Sequence, residues 1–158
     1  MFALEIAYTI PEITYTYVDY DGTFITTRTA EQGKTPSHPS NPTRPSTAEY
    51  EYTFSGWSLS GTTYTATYTA TKREYTFTLL MSPEGAGLAP GGTSWTYEYG
   101  KEVTMIVIPN EGYKFVRWND NAESELIDWG GKPAYKRIVT ITGNVTYTAY
   151  FEVAKENK

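Results

Sequence analysis

Glu123, Glu125 and Asp128 stand together just before Trp129. Two carboxyl groups on either side of a sugar could hydrolyse a glycosidic bond. That reaction requires a deep cleft and one carboxyl whose pKa has been raised by burial. The run that holds these residues, Asn119 to Pro133, is acidic and contains glycine, and it reads as a flexible, solvated insertion. Catalysis is not expected there. Asn119, Asp120 and Asn121 carry hard oxygen atoms of the kind a calcium ion takes, but the solvated insertion is again the favoured reading. The tip Asp19-Tyr20-Asp21-Gly22 lacks the later ligands of an EF-hand loop and reads as a turn. His38, the sole histidine, falls within Thr35 to Ser46 among four prolines, so no Ser-His-Asp set is credible and His38 is expected to be a solvated loop residue. The loop Pro83 to Gly92 has spaced glycines but neither the Lys-Ser/Thr ending nor the following helix of a phosphate cradle; flexible β-turns are expected. The sequence therefore predicts no enzyme, no metal and no cofactor.

Composition narrows the partners. The chain has 158 residues, a net charge of −5 and no cysteine. An acidic balance without any basic run argues against nucleic acid, and the lack of cysteine excludes a disulfide framework or thiolate metal site. No apolar stretch approaches the roughly 20 residues that span a bilayer, so membrane insertion is not expected. The segment Met1 to Tyr8 has no basic n-region and an acidic residue in its apolar run, unlike a secretory signal.

The elements that must position these groups are strands. Aromatic residues make up 16 % of the chain, with 15 tyrosines beside abundant threonine, a composition suited to a pleated, half-wetted surface. Tyr52-Thr53-Phe54-Ser55-Gly56-Trp57 and Tyr113-Lys114-Phe115-Val116-Arg117-Trp118 share the spacing Tyr-x-Phe-x-x-Trp. Tyr and Phe, two apart, point to one face of a strand, whereas Trp, three beyond Phe, joins them only through a bulge or bend. Each hexapeptide is read as the central strand of a small β module, with Tyr52, Phe54 and Trp57, or Tyr113, Phe115 and Trp118, as core anchors. Around them, Asp21-Gly22 predicts a hairpin over Thr14 to Arg28 that sets Val18 opposite Ile25 and Asp19 opposite Phe24. Residues Thr35 to Ser46 predict an extended surface crossover. The alternation Tyr64 to Thr71 predicts a half-buried strand, and Val103 to Ile108 a deeply buried one. The expected fold is all-β: two tandem small β-grasp-like or β-sandwich-like modules with little or no helix. An N-terminal arm takes residues 1–13, the modules take 14–72 and 73–153, and a polar tail takes 154–158.

The first module resembles a Listeria–Bacteroides, or internalin-type, B-repeat. The resemblance rests on Tyr17-Val18-Asp19-Tyr20-Asp21-Gly22-Thr23, Gln32-Gly33, Pro42-Thr43-Arg44, Phe54-Ser55-Gly56-Trp57 and Thr65-Ala66-Thr67-Tyr68. The second is similar to the divergent form of that repeat through Tyr97-Glu98-Tyr99-Gly100, Val103-Thr104, Pro109 to Phe115, Trp118, Asn144-Val145-Thr146 and Ala149-Tyr150-Phe151. The resemblance implies a β-grasp-like module used in tandem on exported bacterial surface proteins and in phage structural proteins, without catalysis. The Pro-rich crossover leaves no room for the short grasp helix, and the acidic insertion after Trp118 has no counterpart in the first module.

The expected role is a structural or interaction protein that displays tandem β modules to protein partners in a larger assembly. A chain starting at Met1 without a signal sequence suggests a phage virion component on the virion surface, as head decoration, fibre or tail accessory. The alternatives are a segment of a bacterial cell-surface adhesin and a carbohydrate-binding module. Contact residues are expected at Trp95 and Trp129, which could meet a protein or a glycan or instead cap the sheets. Phe2, Leu4 and Ile6 of the arm share one face and could pair as a strand with the body or with another chain. Trp57→Ala and Trp118→Ala are each expected to cost about 3–5 kcal/mol, as large buried aromatics do.

Overall fold

The computed structural model describes residues 2–155; Met1 of the arm and residues 156–158 of the tail lie outside the described residues. The described chain is all strand and loop, without a helix. It forms two compact units, one of Met1–Ser46 with Glu51–Thr71, the other of Thr47–Tyr50 with Lys72–Lys158.

The first unit is one four-stranded sheet built from β1 (Glu12–Val18), β2 (Phe24–Glu31), β3 (Tyr50–Ser60) and β4 (Thr63–Lys72), in the order β2-β1-β4-β3. Its central pair, β1 and β4, is parallel, with Tyr17 beside Tyr64. Parallel neighbours cannot be joined by a tight turn, so the chain must travel from the β2 edge to the β3 edge, and residues 35–46 make that journey. The predicted two-residue turn is replaced by a longer one. Gly22 N–H donates to Asp19 O (2.9 Å), and Asp19 N–H to Thr23 O (2.8 Å). Val18 pairs with Phe24 and Tyr17 with Thr26, leaving Ile25 as the extra residue of a bulge. Gly22, at a φ of 86°, takes the left-handed position that such a turn requires.

The centre of this unit is Tyr17, with no exposed surface. Its ring stacks on Tyr64 (centroids 4.9 Å apart) and meets Trp57 edge-on (4.9 Å). Trp57 itself is only half-buried, which shifts the main anchor from the indole to the phenol. His38 is not merely a solvated loop residue. Although exposed, its imidazole lies edge-on to Tyr64 at 5.0 Å, and its Nδ1 is 2.9 Å from the Tyr17 hydroxyl. The Arg44 guanidinium fastens the crossover again, lying 4.1 Å from the Tyr20 ring and 3.7 Å from that of Tyr52. A proline-rich chain has few N–H groups to offer, so this strap holds on through rings and a cation.

The second unit contains the same sheet. Strands β5 (Glu74–Ser82), β7 (Ser94–Glu98), β9 (Tyr113–Trp118) and β12 (Val145–Val153) lie in the order β7-β5-β12-β9, again with a parallel central pair. A second sheet, β10-β11-β8-β6, is made from β6 (Gly87–Leu88), β8 (Glu102–Pro109), β10 (Glu125–Asp128) and β11 (Pro133–Thr140). Each of these strands falls where the first unit has only a turn or the proline strap. Phe77, Leu79, Trp118, Ala149 and Phe151 from one sheet share a core with Val103, Met105, Val107 and Val139 from the other.

A bulge returns Trp118 to the core face. Phe115 pairs with Phe151 and Arg117 with Tyr150, so Val116 is the extra residue and Trp118 comes opposite Ala149. Both Trp118 and Ala149 are fully buried, and the small alanine makes room for the indole. The Trp118 indole N–H donates to the Ser124 hydroxyl, whereas the buried Trp57 Nε1 finds no partner among the described residues.

Three sequence expectations for this unit change. The strand of Tyr113 to Trp118 is not central: β9 closes one edge of its sheet, as β3 with Tyr52 to Trp57 does in the first unit, because the parallel pair takes the centre. The loop Pro83 to Gly92 is part of the core wall and not a set of flexible turns: Ala86 is fully buried, and a Cβ at Gly87 would overlap the Phe151 ring. The acidic insertion is likewise a built hairpin, with Leu126 paired to Tyr135 and Ile127 to Ala134.

Trp118→Ala is expected to cost about 3–5 kcal/mol, and Trp57→Ala less, because its indole is only partly buried. Trp→Phe at the same positions separates the two further: it strands Ser124 at position 118 but removes no hydrogen bond at 57. Denaturant unfolding of the four variants, followed by signals specific to each unit, measures both differences.

Candidate functional site

Trp95 and Trp129, 34 positions apart in sequence, line one cleft of about 360 Å³ in the second unit. Its floor is apolar, made by Phe77, Leu79, Val103 and Met105, and its rim includes Pro90, Tyr97 and Ile106. The two indoles are 49 % and 44 % exposed, half in the cleft wall and half in water.

Each indole is placed by a different device. Trp95 sits on β7, the edge strand, where Phe77 is its neighbour across the ladder. Gly92, at a φ of 90°, passes so close that a Cβ there would lie 2.5 Å from Trp95 Cζ2. Only glycine lets the loop wrap the indole this tightly. Trp129 stands at the tip of the β10–β11 hairpin. Trp129 N–H donates to Lys132 O at 2.8 Å, and Gly130 and Gly131 both have positive φ, 63° and 85°. That is a two-residue turn of the kind matched to strand twist.

The groups that could have done acid–base work lie elsewhere and are engaged. Glu125 pairs with Lys136 at 2.6 Å, Asp128 accepts the Gly131 N–H at 2.7 Å, and Glu123 is exposed. None of the three lines the cleft. Asp120 is gripped by Arg137 through two parallel bonds of 2.7 and 2.6 Å, and that guanidinium holds its carboxyl below the usual range. Asn119 accepts the Thr148 N–H at 3.0 Å. These side chains fasten the insertion to the sheet. Among the described residues, no three of His, Asp and Glu converge as a metal site would need.

The other predicted contact residues sit outside the cleft. Phe2, Leu4 and Ile6 project from an arm that forms no strand and leaves them 82 % to 105 % exposed. Pairing of the arm with the body is therefore not what the fold adopts. Tyr8 and Ile10 continue the same apolar alternation and are exposed too; the sequence reading stopped at Ile6, although the period of two runs on. Tyr52, Phe54, Tyr113 and Phe115 are half-buried supports of their sheets, with Phe115 stacked on Tyr135 at 4.3 Å. The signal that could have found the inserted hairpin is Gly130-Gly131, between Leu126-Ile127 and the apolar end of Tyr135 to Thr142.

In comparison with known families, residues 77–155 match the model of the divergent InlB B-repeat domain. No curated protein and no solved structure matches the chain.

The Asp120–Arg137 pair gives a pH test of this architecture. A carboxyl held below its ordinary pKa contributes stability that is present at neutral pH and lost as the pH falls through the carboxylate range. Asp120→Asn is expected to lower neutral-pH stability and flatten that acid-side fall, measured by thermal unfolding across a pH series. An unchanged slope would show that the pair does not brace the hairpin.

Proposed function

The chain belongs to the divergent InlB B-repeat family, and from that premise we propose that it is a non-enzymatic structural and interaction module. The observation that carries this reading is the cleft between Trp95 and Trp129: apolar, flanked by two half-exposed indoles, and without a carboxylate, histidine or lysine on its lining. Such a surface suits recognition: its polar side chains are Thr104, Tyr97 and the two indoles, with no carboxylate–histidine pair to share a proton. Half-exposed aromatics, one on an edge strand and one at a hairpin tip, are the kind of anchors that protein partners use. We place the module on a repetitive surface, a virion as head decoration, fibre or tail accessory, where an apolar arm and an apolar cleft meet many neighbours. A bacterial cell surface is the alternative placement. Antibody labelling of purified particles, with quantification of the chain per particle, tests this: a fixed ratio supports the virion placement, and absence from particles with presence on intact cells replaces it by the adhesin.

The shared cleft also favours a second reading, glycan recognition, since paired indoles can stack on sugar rings. On a glycan array, this reading expects binding above background that Trp129→Ala abolishes. Trp129 is at a hairpin tip, so the loss would not come from unfolding. A blank array removes the glycan and leaves the protein-partner reading.

A further inference from the structure

One chain carries two features that lack a counterpart. Phe2, Leu4, Ile6, Tyr8 and Ile10 recur at a period of two, which places all five on one face of an extended segment. They are 105 %, 89 %, 82 %, 83 % and 47 % exposed. Glu5, the single charge between them, falls on the opposite face. This is the pattern of a strand with one buried side, yet it has no sheet.

The second unit has the converse feature. Strand β7 ends its sheet, so one side of its backbone is open. Leu79 N–H donates to Thr93 O at 2.7 Å, and from there the antiparallel register runs through Phe77–Trp95 and Thr76–Thr96. Hydrogen-bonded and non-bonded pairs alternate along such a ladder, which turns the N–H and C=O of Thr96 toward the open side. The Thr76 N–H is consistent with this, since it donates away from β7 to Asn144 Oδ1 at 2.9 Å. On the same strand, Trp95 and Tyr97 face the uncharged cleft. An added strand would bond to Thr96 and lay alternate side chains over the cleft mouth, facing Trp129.

We infer that the arm of one molecule, residues 2–10, is the strand that completes the β7 edge of a second copy. The arm's own chain leaves it exposed, so another molecule must cover it. The uncharged lining suits the arm's five apolar residues and gives no place for Glu5 on that face. Main-chain bonds along an open edge supply affinity, and the alternating pockets supply register. Because donor and acceptor are different surfaces, the contact is head-to-tail and propagates into a ring or a filament. The inference rests on reading the chain as an interaction module, and self-association tests it apart from any binding to particles or glycans.

The test is sedimentation of the full chain over a concentration series, beside a chain lacking residues 2–10. The full chain is expected to grow in mass with concentration, and the shortened chain to stay monomeric. A peptide of residues 2–11, titrated calorimetrically into the shortened chain, should bind. Thr96→Pro, which removes an N–H facing the open edge, and Trp129→Ala, at an exposed hairpin tip, should each weaken that binding about tenfold or more. Two substitutions are used so that misfolding of one does not decide the matter. A full chain that is monomeric throughout overturns the inference, whatever the peptide does. So does association that survives removal of the arm, or peptide affinity unchanged by both substitutions.

Discussion

A parallel pair at the centre of a four-stranded sheet governs everything else in this protein. Strands β1 and β4, like β5 and β12, run side by side in one direction, with antiparallel partners outside them. The chain must therefore leave one edge of the sheet and re-enter at the other, about three strand spacings, or roughly 14 Å, away. Whatever makes that traverse lies across a face of the sheet and becomes the roof of its core. In the first unit the roof is a proline strap held by His38 and Arg44; in the second it is β8, widened by β6 and the β10–β11 hairpin into a sheet of its own. The two modules differ in covering and agree in what is covered.

The covering decides how dry each core can be. Behind a full second sheet, Trp118 has no exposed surface, and its N–H is satisfied by Ser124, a residue of the inserted hairpin. A buried indole N–H needs such a partner. Behind a strap, Trp57 is only partly buried, its buried N–H has no partner among the described residues, and Tyr17 takes the central place with its hydroxyl turned to His38. The insertion after Trp118 is thus part of the machinery that buries an indole completely. Its acidic character hides that role, because Asp120 and Glu125 are neutralised by Arg137 and Lys136, successive residues that point to opposite faces of β11.

What could be read from sequence was what depends on neighbours along the chain. The strand of Tyr64 and Ala66, the buried run from Val103 and the bulge needed before Trp118 all follow from the period of two. The pairing of Trp95 with Trp129 in one cleft did not follow, because it joins an edge strand to a hairpin tip through the packing of two sheets. Ser124 was hidden for the same reason. The strand β10 was missed because an edge strand wetted on both faces has no alternation to display, and Leu126 is itself exposed. At the first hairpin, Asp21-Gly22 signalled a turn correctly but not its length, which the chain sets by bulging at Ile25. The Pro83 to Gly92 loop misled in the opposite direction: Gly87 and Gly92 mark backbone pressed against Phe151 and Trp95, while Gly85 and Gly91 have open space, and close approach looks the same in sequence as freedom.

The three tryptophans of the second unit, finally, occupy two solvent environments. Trp118 is sealed in the second unit's core, while Trp95 and Trp129 are half-open and share one wall. Indole emission shifts to the blue as water is excluded, so the molecule carries its own optical gauge. Occupation of the cleft acts on two of the fluorophores and leaves the sealed one as an internal standard. The light this protein gives off therefore distinguishes a filled groove from a collapsed core, without any label being attached.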